Sequence, residues 1–207
     1  MKAPASDESR PRWQKTHSLI REAAATLIRH RGLAAPTVAE VMSKIGRTVG
    51  GFYAHWPNRA ALFDEALSVR TRKLWTELLA TAAQADPTER AVWIVRQYLS
   101  RKHRDADAEG CLLPSVLEDV AVQAEPYRAT LNHEIEHFAG SLGKSIAPDD
   151  RDGGYARALG LIALMIGGLG LARATGQGAL SDAVLAASRS LAYAALNTTP
   201  RPAHATR

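Results

Sequence analysis

Apolar residues recur every three or four positions along most of this 207-residue chain, which is the spacing of one face of an α-helix. Segments with this pattern cover residues 11–31, 59–83, 89–102, 110–124, 127–146, 155–175 and 181–197. The charged stretch 101–109 is predicted to be an exposed loop with a frayed helix end. There is no internal repeat and no long alternation of β-branched residues. The sequence therefore predicts an all-α fold of about nine helices.

Residues 37–59 predict two short helices joined by a tight turn. Thr37 and Glu40 have the spacing of a capping box, which starts a helix at the next residue. Gly46 is suited to end that helix in the left-handed conformation. A second helix is predicted from Val49 to Trp56. Two short helices that meet through a glycine turn form a helix-turn-helix, whose second helix fits a major groove.

This segment resembles the DNA-binding unit of the tetracycline-repressor (TetR) family of transcriptional regulators. The family pattern runs approximately T-V-x-x-I-A-x-x-A-G-V-S-x-G-x-F-Y-x-H-F-x-S-K-E-x-L. The chain matches it at Thr37, Val38, Val41, Gly46, Thr48, Gly50, Phe52, Tyr53, His55 and Leu62, and conservatively at Trp56 and Arg59. It departs from the pattern at Met42, Ile45 and Arg47. The resemblance implies a regulator, most simply a repressor, that binds a near-palindromic operator as a homodimer and is released by a small molecule.

Four regions are predicted along the chain. Residues 1–10 are expected to form a disordered arm, and residues 198–207 a loose tail. Residues 11–57 form the helix-turn-helix unit, called the head below. Residues 58–197 form a helical unit for ligand binding and dimerisation, called the body.

The predicted DNA contacts fall into two groups. Side chains at the start of the second short helix should lie closest to base edges, and polar side chains around them should bind phosphates. The first group is Thr48, Val49 and Gly50, and the second is Thr37, Tyr53, His55 and Arg59, with Lys44 and Arg47 as additions.

Two further sets of residues are implied by the resemblance. A cavity among the body helices is expected to bind a mostly apolar small molecule through Trp75, Trp93, Gln97, Leu117, His133, His137 and Met165. The last two helices, rich in glycine and alanine, are expected to form a four-helix contact with a second copy through Gly160, Leu164, Gly167, Gly168, Leu171, Val184, Ala187 and Leu191. The alternative is that both are central helices of a monomer.

Charge and cysteine content favour a cytoplasmic DNA-binding protein. Residues 1–60 hold 10 Lys and Arg against 4 Asp and Glu, so the net positive charge of the chain belongs to the segment with the helix-turn-helix. Cys111 is the only cysteine, which excludes an intrachain disulfide and fits a reducing compartment. The first eleven residues contain no apolar run typical of a signal peptide. The uncharged run from Ala158 to Ala172 is too short to span a bilayer and predicts a buried helix.

Another motif points to different chemistry. His133, Glu134 and His137 match H-E-x-x-H, in which two histidines one turn apart bind zinc and the glutamate activates water. No third ligand is evident downstream. A zinc hydrolase and a protein-interaction module are therefore the alternative functions, while the main expectation is a regulator without enzymatic activity, metal or cofactor.

Overall fold

The computed structural model describes residues 12–81, 86–106, 109–123 and 125–197. Every regular element within these ranges is helical, which confirms the all-α prediction. The predicted arm and tail lie outside the described residues. In chain order the elements are α1 (Arg12–Arg31), α2 (Val38–Lys44), a 3₁₀ helix (Val49–Ala54), α3 (Arg59–Thr81), α4 (Pro87–Tyr98), α5 (Arg101–Asp105), α6 (Leu113–Gln123), α7 (Tyr127–Ile146), α8 (Arg151–Ala174) and α9 (Ala179–Asn197).

The predicted capping box starts α2. The Thr37 hydroxyl accepts a hydrogen bond from the Glu40 amide at 3.2 Å, and the Glu40 carboxylate accepts one from the Thr37 amide at 2.8 Å. Gly46 has a φ of +66°, a conformation that a glycine adopts without strain. These local bonds fix where α2 begins and how the chain turns after it.

The second short helix differs from the prediction. It is a 3₁₀ helix that ends at Ala54, and the Thr48 side chain makes no capping hydrogen bond. Gly50 and Gly51 are poor α-helix formers because they lose much conformational freedom on folding, and 3₁₀ geometry is common in such short pieces. The turn and the helix still occupy the place that the helix-turn-helix prediction assigns them.

The body is built around α7 and α8, which pack on each other, with α9 against α8 and α3 and α4 against α7. Gly168 marks the close approach of α8 and α9, since a Cβ atom there would lie 2.5 Å from the Ser188 Oγ atom. The head joins the body because α1 packs on both α3 and α6. The Ser115 hydroxyl donates to the carbonyl of Arg29 at 2.6 Å across the second of these contacts.

Over residues 101–105 the structure has a regular helix in place of the predicted exposed loop with a frayed helix end. Residues 101–105 form α5, and Arg104 is buried. The Ser100 hydroxyl caps this helix by accepting from the His103 amide at 3.1 Å. The Arg104 guanidinium donates to the carboxylates of Asp105 and Asp182. The one buried charge of α5, that of Arg104, is thus paired with carboxylates of opposite sign.

Helix α8 meets the length and composition criteria for crossing a bilayer over Asp152–Ala174. About half of it is buried against α7 and α9, with 44% of the most apolar window covered within the chain. A central helix of a helical body satisfies the same criteria, and the burial fits that role.

Candidate nucleic-acid interface and ligand cavity

One surface of the head presents most of the predicted DNA-binding residues. The side chains or backbone of six of them are exposed: Lys44, Arg47, Thr48, Val49, Gly50 and Tyr53. Tyr53 is 65% exposed and Val49 is 40% exposed. Beneath them Phe52 and Met42 are buried and hold the 3₁₀ helix on α2. The exposed surface therefore presents the positive charges of Lys44 and Arg47 beside the apolar side chain of Val49.

Arg59 does not reach this surface. Its guanidinium donates to the backbone carbonyls of Pro36 at 2.8 Å, Ala34 at 3.1 Å and Leu33, and it lies 4.4 Å from the centre of the Phe63 ring. These bonds hold the loop between α1 and α2 against the start of α3. The Arg59 guanidinium, predicted to bind phosphate, is thus hydrogen-bonded within the chain to three carbonyls.

His55 is also turned inward, into an aromatic stack. Its ring lies 5.0 Å from Trp13 and 5.7 Å from Trp56, and the His17 ring is stacked on Trp56 at 3.9 Å between centroids. Burial, and then the nearby His17, lower the pKa of His55 below 6.5. Both effects favour the neutral form of the His55 ring.

Thr37 lies at the rim of the exposed surface. Its side chain is exposed, but the hydroxyl already bonds the Glu40 amide and carboxylate. The Arg31 guanidinium also bonds Glu40, and three hydrogen bonds, from Arg31 and from the amide and hydroxyl of Thr37, lower the pKa of Glu40 to about 2.

Glu65 was not among the predicted site residues, yet it joins the head to α3. Its carboxylate accepts hydrogen bonds from the Trp56 indole at 2.8 Å and from Arg21 at 3.1 Å, and it lies 3.1 Å from His17 Nε2. Burial raises the pKa of Glu65, but these hydrogen bonds outweigh it and the net shift is downward. The acidic residue on α3 carries no sequence signal that distinguishes it from other exposed acids.

A cavity of about 310 Å³ opens between α3, α4 and α5. Of the seven predicted ligand contacts, Trp93 and Gln97 line it. Trp75 and Met165 are core residues with 4% and 1% exposure, and Trp75 packs on Phe138. The remaining three, Leu117, His133 and His137, are exposed side chains that do not line the cavity.

The residues of the H-E-x-x-H motif lie on two different sides of α7. Its two histidines are exposed on α7, whereas Glu134 is buried and points the other way. The Glu134 carboxylate accepts from the Ser68 hydroxyl at 2.8 Å and pairs with Arg72, so it ties α7 to α3. Within the described ranges there is no group of three or more His, Cys, Asp or Glu side chains that could hold a metal ion.

Cys111 is buried rather than poised to react. The Tyr98 hydroxyl donates to its sulfur at 3.1 Å, and burial raises the pKa of the thiol. A protonated, enclosed thiol is a weak nucleophile.

The predicted dimerisation residues divide between an outer and an inner face of α8 and α9. Gly160, Gly167, Leu171, Ala187 and Leu191 are exposed, and Leu164 and Val184 are half-buried beside them. Leu171 and Leu191 are 55% and 63% exposed. Gly168 instead lies inside the chain against Ser188, where no partner can touch it, so its role is to seat α9 on α8.

The described residues combine a helix-turn-helix unit with an all-α body. Residues 20–66 match the family described as bacterial regulatory proteins, tetR family. This match spans the helix-turn-helix and the start of α3, and the chain has the all-α fold of TetR-family transcriptional regulators. No curated protein matches the sequence.

Solved structures support this fold over most of the chain. A TetR-family regulator from Agrobacterium tumefaciens is 17% identical with a TM-score of 0.74, covering 87% of this chain and 97% of its own. One from Cytophaga hutchinsonii is 21% identical with a TM-score of 0.72, covering 90% and 97%. A transcriptional regulator from Saccharomonospora viridis, solved with choline, is 18% identical with a TM-score of 0.65, covering 86% and 95%. At such identities the likeness establishes the fold alone.

Proposed function

We propose that this protein is a cytoplasmic, ligand-responsive transcriptional regulator that binds an operator as a homodimer. The observation that carries the proposal is the exposed edge of the head, where Thr48, Val49 and Gly50 begin the 3₁₀ helix beside Lys44 and Arg47. Gly50 has open space around it, so the backbone can approach a duplex closely. Val49 offers an apolar contact for a thymine methyl group.

Phosphate contacts are assigned to the cations and the hydroxyl around that edge. Lys44 and Arg47 supply charge, and the exposed Tyr53 hydroxyl and the Thr37 side chain supply polar contacts at the rim. Arg59 and His55 pack beneath this surface, and we assign no phosphate contact to them.

Dimerisation follows from the size of a single recognition segment, which touches too few bases to be specific. Two heads spaced about 34–36 Å apart would meet successive major-groove faces of a near-palindromic site. The exposed leucines and small residues of α8 and α9 are the proposed interface, because they form an apolar face that a second copy can cover. We accordingly divide the chain into a head of residues 11–57 and a body of residues 58–197.

Release from DNA is assigned to a small molecule in the cavity that Trp93 and Gln97 line. This cavity lies against α3, the helix that leaves the head, so a bound molecule can bias the position of α3. Coupling between two sites requires that the ligand bind the low-affinity conformation more tightly. Repression relieved by that ligand is the simplest outcome.

The test is binding of the purified protein to the DNA that flanks its own gene. We expect a symmetric footprint and an affinity that falls steeply with salt as counterions are released. Tyr53→Phe should weaken binding to operator and random DNA alike, whereas Val49→Ala should mainly relax base preference. A salt-independent interaction, or equal effects of both variants on both DNAs, would count against the proposal.

A further inference from the structure

The cavity between α3, α4 and α5 has an apolar wall and a buried cation. Leu74, Leu78 and Trp93 form the apolar part, and Gln97 offers an amide. Arg70 lies among them and is only 7% exposed. A guanidinium this enclosed holds an anion far more strongly than one in open water.

The charges around the cavity favour a negative ligand. The described lining residues include the cations Arg70, Lys73 and Lys102 and the carboxylates Glu77 and Glu109. The two carboxylates and the two lysines are all exposed, so water screens them, and Arg70 is the buried charge among these five.

His103 adds no charge to this balance. Its Nδ1 lies 2.7 Å from the Tyr98 carbonyl oxygen, which only a protonated nitrogen can bond, and its Nε2 accepts from the Cys111 amide at 3.1 Å. That pattern is the neutral ring.

Arg70 also bonds the head. Its Nη1 atom lies 3.2 Å from the Oε2 atom of Glu22 on α1, and Glu22 is half-exposed. One guanidinium therefore lines the cavity and holds α1 to α3. An acidic group that enters the cavity would compete with Glu22 for this cation.

Resting on the ligand response proposed above, we propose that the cavity takes an aromatic acid, an apolar ring system with one anionic group. The acid binds Arg70 and weakens the Arg70–Glu22 ion pair. Ligand binding thereby loosens α1 from α3, which changes how the head is held on the body.

The probes are two dyes with the same ring skeleton, 8-anilinonaphthalene-1-sulfonate and N-phenyl-1-naphthylamine, which lacks the sulfonate. Titration by fluorescence should show the sulfonate binding at least tenfold more tightly. Trp93→Ala should weaken both dyes, and Val122→Ala, on an exposed site of α6, should change neither. Equal affinity for the two dyes, or a signal that survives Trp93→Ala, would overturn the assignment.

Two variants separate a binding role from a structural one. Arg70→Gln should abolish the preference for the sulfonate, and Glu22→Gln should tighten sulfonate binding severalfold while leaving the neutral dye unchanged. If Arg70 were only structural, both variants would weaken binding or leave it alone. Far-UV circular dichroism and thermal unfolding establish that each variant folds, and Arg70→Lys, which keeps the charge, should retain part of the preference.

Measurements of DNA binding in the presence of the sulfonate distinguish this inference from the proposed function. The sulfonate should lower the affinity of the wild-type protein for its operator, and it should lower that of Glu22→Gln by a smaller factor. An equal factor would overturn the Arg70–Glu22 coupling. Absence of any DNA binding would contradict the proposed function, while the dye titrations would still decide the ligand class.

Discussion

The indole nitrogen of Trp56 donates a hydrogen bond to the Glu65 carboxylate, with 2.8 Å between Nε1 and Oε2. This contact joins the end of the helix-turn-helix to α3, and Arg21 of α1 reaches the same carboxylate. Three elements of the chain therefore meet at one side chain. Loss of its charge should affect how the head is seated.

We expect Glu65→Gln to lower the free energy of unfolding by about 1 kcal/mol, because an amide cannot replace a carboxylate shared by several donors. The expected loss of stability is small because the Glu65 side chain is 33% exposed and water screens its ion pairs. The folded-state pKa of Glu65 lies below 4.5, so its contribution is present above pH 4.5 and is lost as the pH falls through the folded-state value. Chemical denaturation at pH 7 and pH 3 checks this. A difference between wild type and variant that grows on acidification would contradict it.

Substitutions of two cations, Lys44 and Arg59, should have opposite effects on DNA binding and on stability. Lys44→Ala should leave the melting temperature unchanged and reduce the slope of log affinity for DNA against log salt by about 0.9, as expected for one lost phosphate contact. Arg59→Gln should lower stability by about 1–3 kcal/mol, because three backbone carbonyls lose their donor. Its salt slope should match that of the wild type. An Arg59 variant with full stability and a reduced slope would show that it binds phosphate after all.

The outer face of α8 and α9 should control assembly. The double change Leu171→Glu and Leu191→Glu places charges where two copies are proposed to meet, so the protein should sediment as a folded monomer. Val122→Glu introduces the same charge at a side chain that is 75% exposed on α6, and it should leave assembly unchanged. A double variant that remains dimeric would place the interface elsewhere.

His103 should make the body sensitive to acid. Burial lowers the pKa of His103 to about 4 from 6.5, so the unfolded chain binds more protons between these values and stability falls as the pH drops. At 1.36 kcal/mol per pH unit the loss approaches about 3 kcal/mol. His103→Gln should remove this part of the slope in denaturant titrations from pH 7 to pH 4. An unchanged slope would mean that other groups set the acid sensitivity.

Sequence periodicity was sufficient for the all-α fold, because long amphipathic helices are fixed by the spacing of their own residues. The N-terminal cap of α2 was also predictable from the sequence, since Thr37 and Glu40 are three positions apart. The 3₁₀ helix could not be predicted from the sequence, because two adjacent glycines weaken the preference for an α-helix without altering the apolar pattern. The match to the family pattern survives this change because Phe52 still anchors the segment in the core.

Charged residues were the hardest to place from sequence. Arg59 and Arg104 lie in polar stretches that predict exposure, yet both are turned inward by acceptors supplied from elsewhere in the chain. Glu65 and Arg70 likewise owe their positions to partners more than 40 residues away. Such pairings depend on tertiary contacts that local spacing does not encode.

Gly168 determines how closely α9 approaches α8 and so how their exposed leucines are oriented. Since no side chain fits between it and Ser188, α9 rests directly on the backbone of α8. A residue as small as alanine there would push the two axes apart and tilt the outward-facing leucines relative to each other. The hidden glycine thus sets the shape of the face that we propose a second copy covers, although Gly168 itself is buried beneath that face.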